Sequence, residues 1–261
     1  MVEFKKVARR GFVIGSASTA GGVAVGYWAY KKPHENPLVS QLEPGSVAVS
    51  PYIVINAEEI TVVTPRAEMG QGVHTTLAAM VAEELDVELN QLKVVHGPAS
   101  KAYFNDAVLE EALPFKSYDY SLLAESARTS IRAVGKLLGM QITGGSSSVP
   151  DGFDKMRMAG ASMRQMLIRA AAKKWDVPLG EVVASQGVVS HAQSKKSVRY
   201  QGLVEELRHV DIPKNIQLKD QKDWKILGKS QKRVDMQDKC TGKPIYSIDV
   251  RLQKCCLEPL E

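Results

Sequence analysis

Two short stretches of this chain hold residue types that can do chemistry at close spacing. The first is Pro65-Arg66-Ala67-Glu68-Met69-Gly70-Gln71-Gly72-Val73-His74-Thr75-Thr76. Gly70 and Gly72 have no Cβ, so a ligand can come close to the backbone there. Gln71 between them offers an amide donor and an amide acceptor. An amphipathic helical pattern follows, and the first N–H groups of a helix point back at such a loop, which suits a phosphate. The second stretch is Thr143-Gly144-Gly145-Ser146-Ser147-Ser148-Val149. Its glycines again allow close approach, and its hydroxyls can donate to phosphate oxygens. The competing reading of a lone Gly-x-Gly is a plain strand–turn–helix connection. That of Gly-Gly-Ser-Ser-Ser is a flexible surface turn.

The elements that must position these loops follow from periodicity. Val47 to Ala57 and Ile60 to Thr64 read as paired strands with Glu58-Glu59 at the turn. Val73 to Leu85 reads as a helix with Leu77, Met80, Val81 and Leu85 on one face. Leu92 to Val95 reads as the next strand. This order predicts an α/β layer. Ser121 to Leu138 reads as a helix with Ser121 as its cap, and Asp154 to Trp175 as a long helix rich in Ala and Met. Met156, Met158, Met163 and Met166 read as core filler. Val182 to Ser185 and Val188 to His191 read as a hairpin around Gln186-Gly187, and Leu203 to His209 as a short helix. The fold class expected is α/β (α+β). The organisation expected is a signal or anchor over 1–31, a linker over 32–45, a first domain over 46–221 and the start of a second over 222–261.

Other chemistry-bearing residues point to less. His74 sits one turn into a helix and reads as a packed or hydrogen-bonded histidine. Glu68 has no visible partner, and Arg66 reads as a solvated loop arginine, with an anion contact as the alternative. His96, His191 and His209 show no metal spacing. The chain has three cysteines, Cys240, Cys255 and Cys256, with no Cys-x-x-Cys. No zinc or iron–sulfur site is visible, and no catalytic or metal-ligating residue is assigned. The net charge is +5, but the positive residues are scattered and no recognition motif accompanies them, which argues against nucleic acid.

The N-terminus is a separate object. Lys5, Lys6, Arg9 and Arg10 lead into a mildly apolar run from Phe12 to Tyr30, rich in Gly, Ala, Ser and Thr. Arg9-Arg10-Gly11-Phe12 has the form of a twin-arginine export signal. A periplasmic protein is expected. An uncleaved anchor in contact with the membrane is the alternative, because the run is just long enough to span a bilayer.

The first loop resembles the cofactor loop of the molybdenum hydroxylases, the family of xanthine dehydrogenase and aldehyde oxidoreductase. Within it the chain is most similar to the large subunit of the isoquinoline 1-oxidoreductase type. Ala82-Glu83-Glu84-Leu85-Asp86-Val87 follows at the family's spacing, and Thr143 to Val149 resembles its second cofactor loop. Arg233, Asp235, Lys239-Cys240-Thr241-Gly242, Tyr246 and Ile248-Asp249-Val250 resemble the opening of its next, hammerhead-like domain. The likeness runs from about Asn36 to Leu252. It implies that Met69, Gly70, Gln71 and Gly72, with Thr143, Gly144, Gly145, Ser146 and Ser148, hold a molybdenum–molybdopterin cofactor in a dinucleotide form. It also implies a small 2Fe–2S partner subunit, with a cytochrome as a further electron acceptor.

The family's reaction inserts a water-derived oxygen at a C–H bond of an aldehyde or N-heterocycle. It uses a glutamate near the end of the large subunit as general base, and no such segment is present here. Two expectations result. One is an N-terminal part of a longer large subunit, inactive alone and retaining no cofactor. The other is a non-catalytic exported α/β protein that binds an anion or a partner. The family continues past its Asp-Val-Arg-Leu into a Met-Leu-Tyr-Ala-Ala-Val-like run, whereas this chain reads Cys255-Cys256-Leu257-Glu258-Pro259. A reading frame displaced from the last base of the Lys254 codon permits Met-Leu-Phe-x-Ala-Val, so a frameshift near that codon is expected.

Overall fold

The structure is a computed structural model that describes residues 21–250 apart from 23 and 29. Arg9, Arg10, Cys255 and Cys256 lie outside the described residues, as does most of the Phe12–Tyr30 run. Among the described residues, no helix is long and apolar enough to cross a membrane.

Strands β1 (Val47–Ser50), β2 (Ile53–Ile55), β3 (Ile60–Thr64) and β4 (Leu92–His96) form one sheet in that order. The first three pair antiparallel, and β3 pairs parallel with β4, from Ile60 opposite Leu92 to Thr64 opposite His96. The expected strand over 47–57 is thus two strands. Pro51 has no N–H to give to a ladder, so the chain turns at Pro51–Tyr52 and the register shifts between Ala48 and Ser50.

Helix α1 (Val73–Leu85) makes the crossover from β3 to β4. It is buried on nearly every side, with Leu77, Ala78, Val81, Ala82 and Leu85 at 1% exposure or less. It lies between the sheet and the long helix α3 (Ser148–Trp175). Small residues set the distance between the two helices. A Cβ on Gly160 would stand 2.6 Å from the Val81 carbonyl oxygen. Gly160→Val is therefore expected to force the helices apart and destabilise the chain by about 1–3 kcal/mol, as overpacking does. A fall in the thermal midpoint checks this.

Helix α2 (Leu122–Leu138) is capped as expected, with Ser121 Oγ accepting from the Ala124 N–H, and it ends at Gly139. α3 starts six residues before the expected Asp154. Pro150 falls in the first helical turn, where proline is tolerated because its missing N–H has no partner to lose. Met156, Met163 and Met166 are core residues, whereas Met158 is 39% exposed.

The second sheet is antiparallel: β5 (Val182–Ser185), β6 (Val188–His191) and β7 (Lys196–Arg199). Gln186 and Gly187 both have positive φ, the geometry of a tight hairpin turn. β7 is an edge strand of mainly exposed polar residues, which is why it leaves no alternating apolar pattern in the sequence. A 3-10 turn over Tyr200–Leu203 and the short helix α4 (Val204–Leu207) follow, and α5 (Met236–Cys240) comes after a long irregular stretch. Helices packed on a mixed sheet, with a separate antiparallel sheet, give the expected α/β (α+β) class.

Candidate functional site

The two glycine loops touch. The Ala67 N–H donates to Thr143 Oγ1 at 2.9 Å, and Gln141 Nε2 donates to the Pro65 carbonyl at 3.2 Å. The residues behind them explain why. Arg66 is 1% exposed, pairs with Asp151 in the first turn of α3, and donates to the Tyr103 carbonyl at 2.9 Å and the Phe104 carbonyl at 3.3 Å. Asp151 also receives the Lys155 ammonium at 2.5 Å and the Asp106 N–H at 3.0 Å. Arg66 immediately precedes the first loop, and Asp151 closely follows the second. The buried pair therefore fixes the spacing of both, and the expectation of a solvated Arg66 is overturned. Asn105, fully buried, steadies the second loop by donating to the Ile142 carbonyl at 3.0 Å and to Ser147 Oγ at 2.7 Å.

The first loop is folded by its own carboxylate. Glu68 accepts from the N–H groups of Gly70 at 2.8 Å, Gly72 at 3.0 Å and His74 at 3.2 Å. Gly72, the residue before α1, has no side chain with which to cap the helix, and Glu68 performs that task from four residues upstream. Burial disfavours its charge. The bonds from Gly72, His74 and Gly70 and the Arg233 charge outweigh this and hold the carboxyl below its ordinary value. Glu68 is thus far from partnerless. The N–H groups that the sequence offered to a phosphate already serve an internal anion. Gln71, though exposed, is bonded to the loop's own backbone, accepting from the Met69 N–H at 2.6 Å and donating to the Ala67 carbonyl at 2.8 Å.

What faces outward is the rest of the turn. Met69 is 72% exposed. Gly70 and Gly72 have φ of 104° and 83°, and a Cβ on either would meet nothing within 4 Å. Gly144 is equally open but carries no positive φ. Gly145 and Ser146 are left-handed, at φ 58° and 48°, and Ser148 is the first residue of α3. The structure therefore brings all nine expected residues to two adjoining loops. His74 lies beside them, half-buried, with Nε2 3.1 Å from the Arg66 carbonyl. Burial outweighs that bond and the Glu68 charge and lowers its pKa, which favours the neutral ring.

Charge placement gives the site a pH dependence. Burial, with Asp151 nearby, raises Asp106 to about 6 despite Lys155. A carboxyl raised on folding binds more protons in the native state, so its contribution grows as pH falls from about 6 towards its ordinary 3.8. Glu68 and Glu83 are lowered instead, so their contribution is present above 4.5 and is lost as pH falls below it. Between pH 7 and 5 Asp106 favours the fold at the lower pH and His74, lowered from its ordinary 6.5, opposes it, and stability is expected to drop below pH 4.5. Asp106→Asn should lower stability at pH 5 relative to that at pH 7, compared with the wild type. Urea midpoints across that range test it.

Against this geometry stand the comparisons with known proteins. The Molybdopterin cofactor-binding domain family matches residues 4–107, a span that contains the first loop. The beta chain of isoquinoline 1-oxidoreductase from Brevundimonas diminuta is 27% identical over 289 residues, which cover 96% of this chain and 32% of that protein. The chain is similar to members of the molybdenum hydroxylase family. One of the subunits of nicotinate dehydrogenase from Pseudomonas putida is 28% identical over 186 residues, covering 71% of this chain and 13% of that protein. The membrane-bound aldehyde dehydrogenase (pyrroloquinoline-quinone) from Gluconacetobacter polyoxogenes is 23% identical over 260 residues, covering 96% and 29%. The chain spans at most about a third of the length of these relatives.

The loops fit such a cofactor in one respect and not in another. Open space at Gly70, Gly72 and Gly144 beside hydroxyls from Thr143 to Ser148 suits the polar edge of a pterin. The N-terminus of α1 does not suit its phosphate, because Glu68 is already there. Sequence reasoning missed Glu68, Asp151 and Asn105. Glu68 alone left a local trace, standing two and four residues before the glycines whose N–H groups it binds.

Proposed function

We propose that this chain is the N-terminal part of an exported, molybdopterin-dependent oxidoreductase large subunit that hydroxylates aldehydes or N-heterocycles. The observation that carries this reading is the contact between the two loops, Ala67 N–H to Thr143 Oγ1, in a chain similar to this family. Met69–Gly72 and Thr143–Ser148 would hold the pterin of a dinucleotide cofactor between them. When bound, that cofactor supplies a molybdenum centre that passes water-derived oxygen to a C–H bond and takes up two electrons. This chain's residues contribute placement. Arg66 and Asp151 fix the loop spacing, Glu68 shapes the turn, and neutral His74 stands beside it. With no Cys-x-x-Cys in the sequence, electrons would leave through a small 2Fe–2S subunit and onward to a cytochrome.

The chain alone is expected to retain no stable molybdenum and to turn over neither an aldehyde nor an N-heterocycle. Weak, reversible binding of added molybdopterin, followed by pterin fluorescence, is the test of the loops. Gly144→Val is the discriminating variant. It carries no positive φ and its Cβ would meet nothing within 4 Å, so the fold should be unchanged while bulk is added at the second loop. Loss of binding in this variant supports the assignment. Equal binding by both chains would refute it. Export rests on Arg9-Arg10-Gly11-Phe12 before the apolar run, and replacing both arginines by lysine should leave the protein in the cytoplasm. A variant still found in the periplasm would rule out the twin-arginine route.

A further inference from the structure

Residues 219–235 run along α1 as a strap, held at both ends of that helix. At its C-terminal end Glu83 and Glu84, both 1% exposed or less, accept from backbone N–H groups of the strap. Glu84 takes that of Lys219 at 3.0 Å, and Glu83 those of Lys225 at 2.8 Å, Ile226 at 2.7 Å and Leu227 at 3.2 Å. At the N-terminal end the Val234 N–H donates to Thr75 Oγ1 at 3.0 Å. Arg233 donates from Nη1 to the Gly70 carbonyl at 2.7 Å and from Nη2 to Glu68 at 3.0 Å. Between the anchors an open cleft of about 1270 Å³ separates Val87 and Leu89 from Gln231 and Met236. The two ends are thus pinned by separate sets of bonds, not by one continuous packed seam.

We propose that Arg233 is a positioning residue for the Gly70–Gly72 turn, a latch through which the seating of residues 219–235 sets the shape of the loop. Its fork is suited to this. A guanidinium can hold a carbonyl and a carboxylate at once in fixed geometry, which an ammonium cannot. Asp235 orients it, receiving Nε at 2.9 Å and Nη2 at 2.9 Å. Glu68, 8% exposed, needs a counter-charge once it has left water to bind three N–H groups. Arg233 supplies that charge and also grips the Gly70 carbonyl on the other side of the same turn. The turn therefore takes its shape from an internal carboxylate and a distant arginine before any ligand arrives. The consequence for a cofactor rests on the proposed function above, but the latch itself does not.

Amide hydrogen exchange on the cofactor-free chain tests it. Arg233→Gln should speed exchange at Gly70, Gly72 and His74 at least tenfold and leave Met163 and Leu167 in α3 unchanged. Arg233→Lys should recover part of the protection, since it restores the charge and one bond. Glu68→Gln should speed exchange at the same amides, and the double variant should add little to either single one. Unchanged exchange at the three amides in Arg233→Gln would overturn the proposal. So would a rise of equal size in α3, which would mean that Arg233 holds the whole fold and not the turn. Because no cofactor takes part, the outcome is separate from that of the Gly144→Val titration.

Discussion

Asp151→Asn is expected to destabilise the chain by about 3–5 kcal/mol, the usual result of removing one member of a buried ion pair. Arg66 is 1% exposed. Without the Asp151 charge its guanidinium would be left with neutral acceptors, the carbonyls of Pro65, Tyr103 and Phe104 among them. Lys155 would lose its shortest ion pair in the same step and keep Asp106 at 3.6 Å and the Phe104 carbonyl at 2.9 Å. Arg66→Met should cost less, because Asp151 would retain the Lys155 ammonium and the Asp106 N–H. The double variant Arg66→Met with Asp151→Asn should be milder than Asp151→Asn alone, since no unpaired guanidinium would remain buried. Urea unfolding of the three variants measures this. A double variant as unstable as the sum of the singles would show that the two residues act independently, and the account of loop spacing would fail with it.

The second large effect is expected at the other end of α1. Glu84 is fully buried and accepts from Arg157 Nε at 2.9 Å, Arg157 Nη2 at 2.7 Å and the Lys219 N–H at 3.0 Å. Arg157 is itself 7% exposed, and its guanidinium lies 5.0 Å from the ring centre of Phe153 and 5.2 Å from that of Trp224. Glu84→Gln keeps the shape and removes the charge. It should cost about 3–5 kcal/mol, most of it from leaving the Arg157 charge buried without its counterpart. It should also release the strap, so that proteolysis near Lys219–Leu227 speeds up before the core unfolds. Cleavage there at the wild-type rate would mean that the strap is seated by its other bonds alone.

Local patterns were legible in the sequence for physical reasons. The helix after Gly72, the Ser121 cap and the Gln186–Gly187 hairpin are each decided within a few residues, by periodicity or by glycine's access to positive φ. The glycine loops were legible as a pair because their wording matches a known family. The breaks at Pro51 and the early start of α3 at Ser148 were misread for one reason. Proline's effect depends on whether its missing N–H has a partner to lose, and only the surrounding fold decides that.

The sequence by itself therefore carried a family resemblance, the two cofactor-loop candidates and most of the secondary structure. It did not determine what holds the loops together. Arg66 and Asp151 are 85 positions apart, Glu84 and Arg157 are 73 apart, and Arg233 is 165 from Glu68. Charges so distant along the chain leave no periodic signal, and each taken alone reads as a solvated side chain. Only tertiary packing takes them out of water, and a buried charge must then find its partner. The same packing settled what Glu68 does. Once the turn closes over it, the carboxylate takes the N–H groups that the sequence left open for a phosphate.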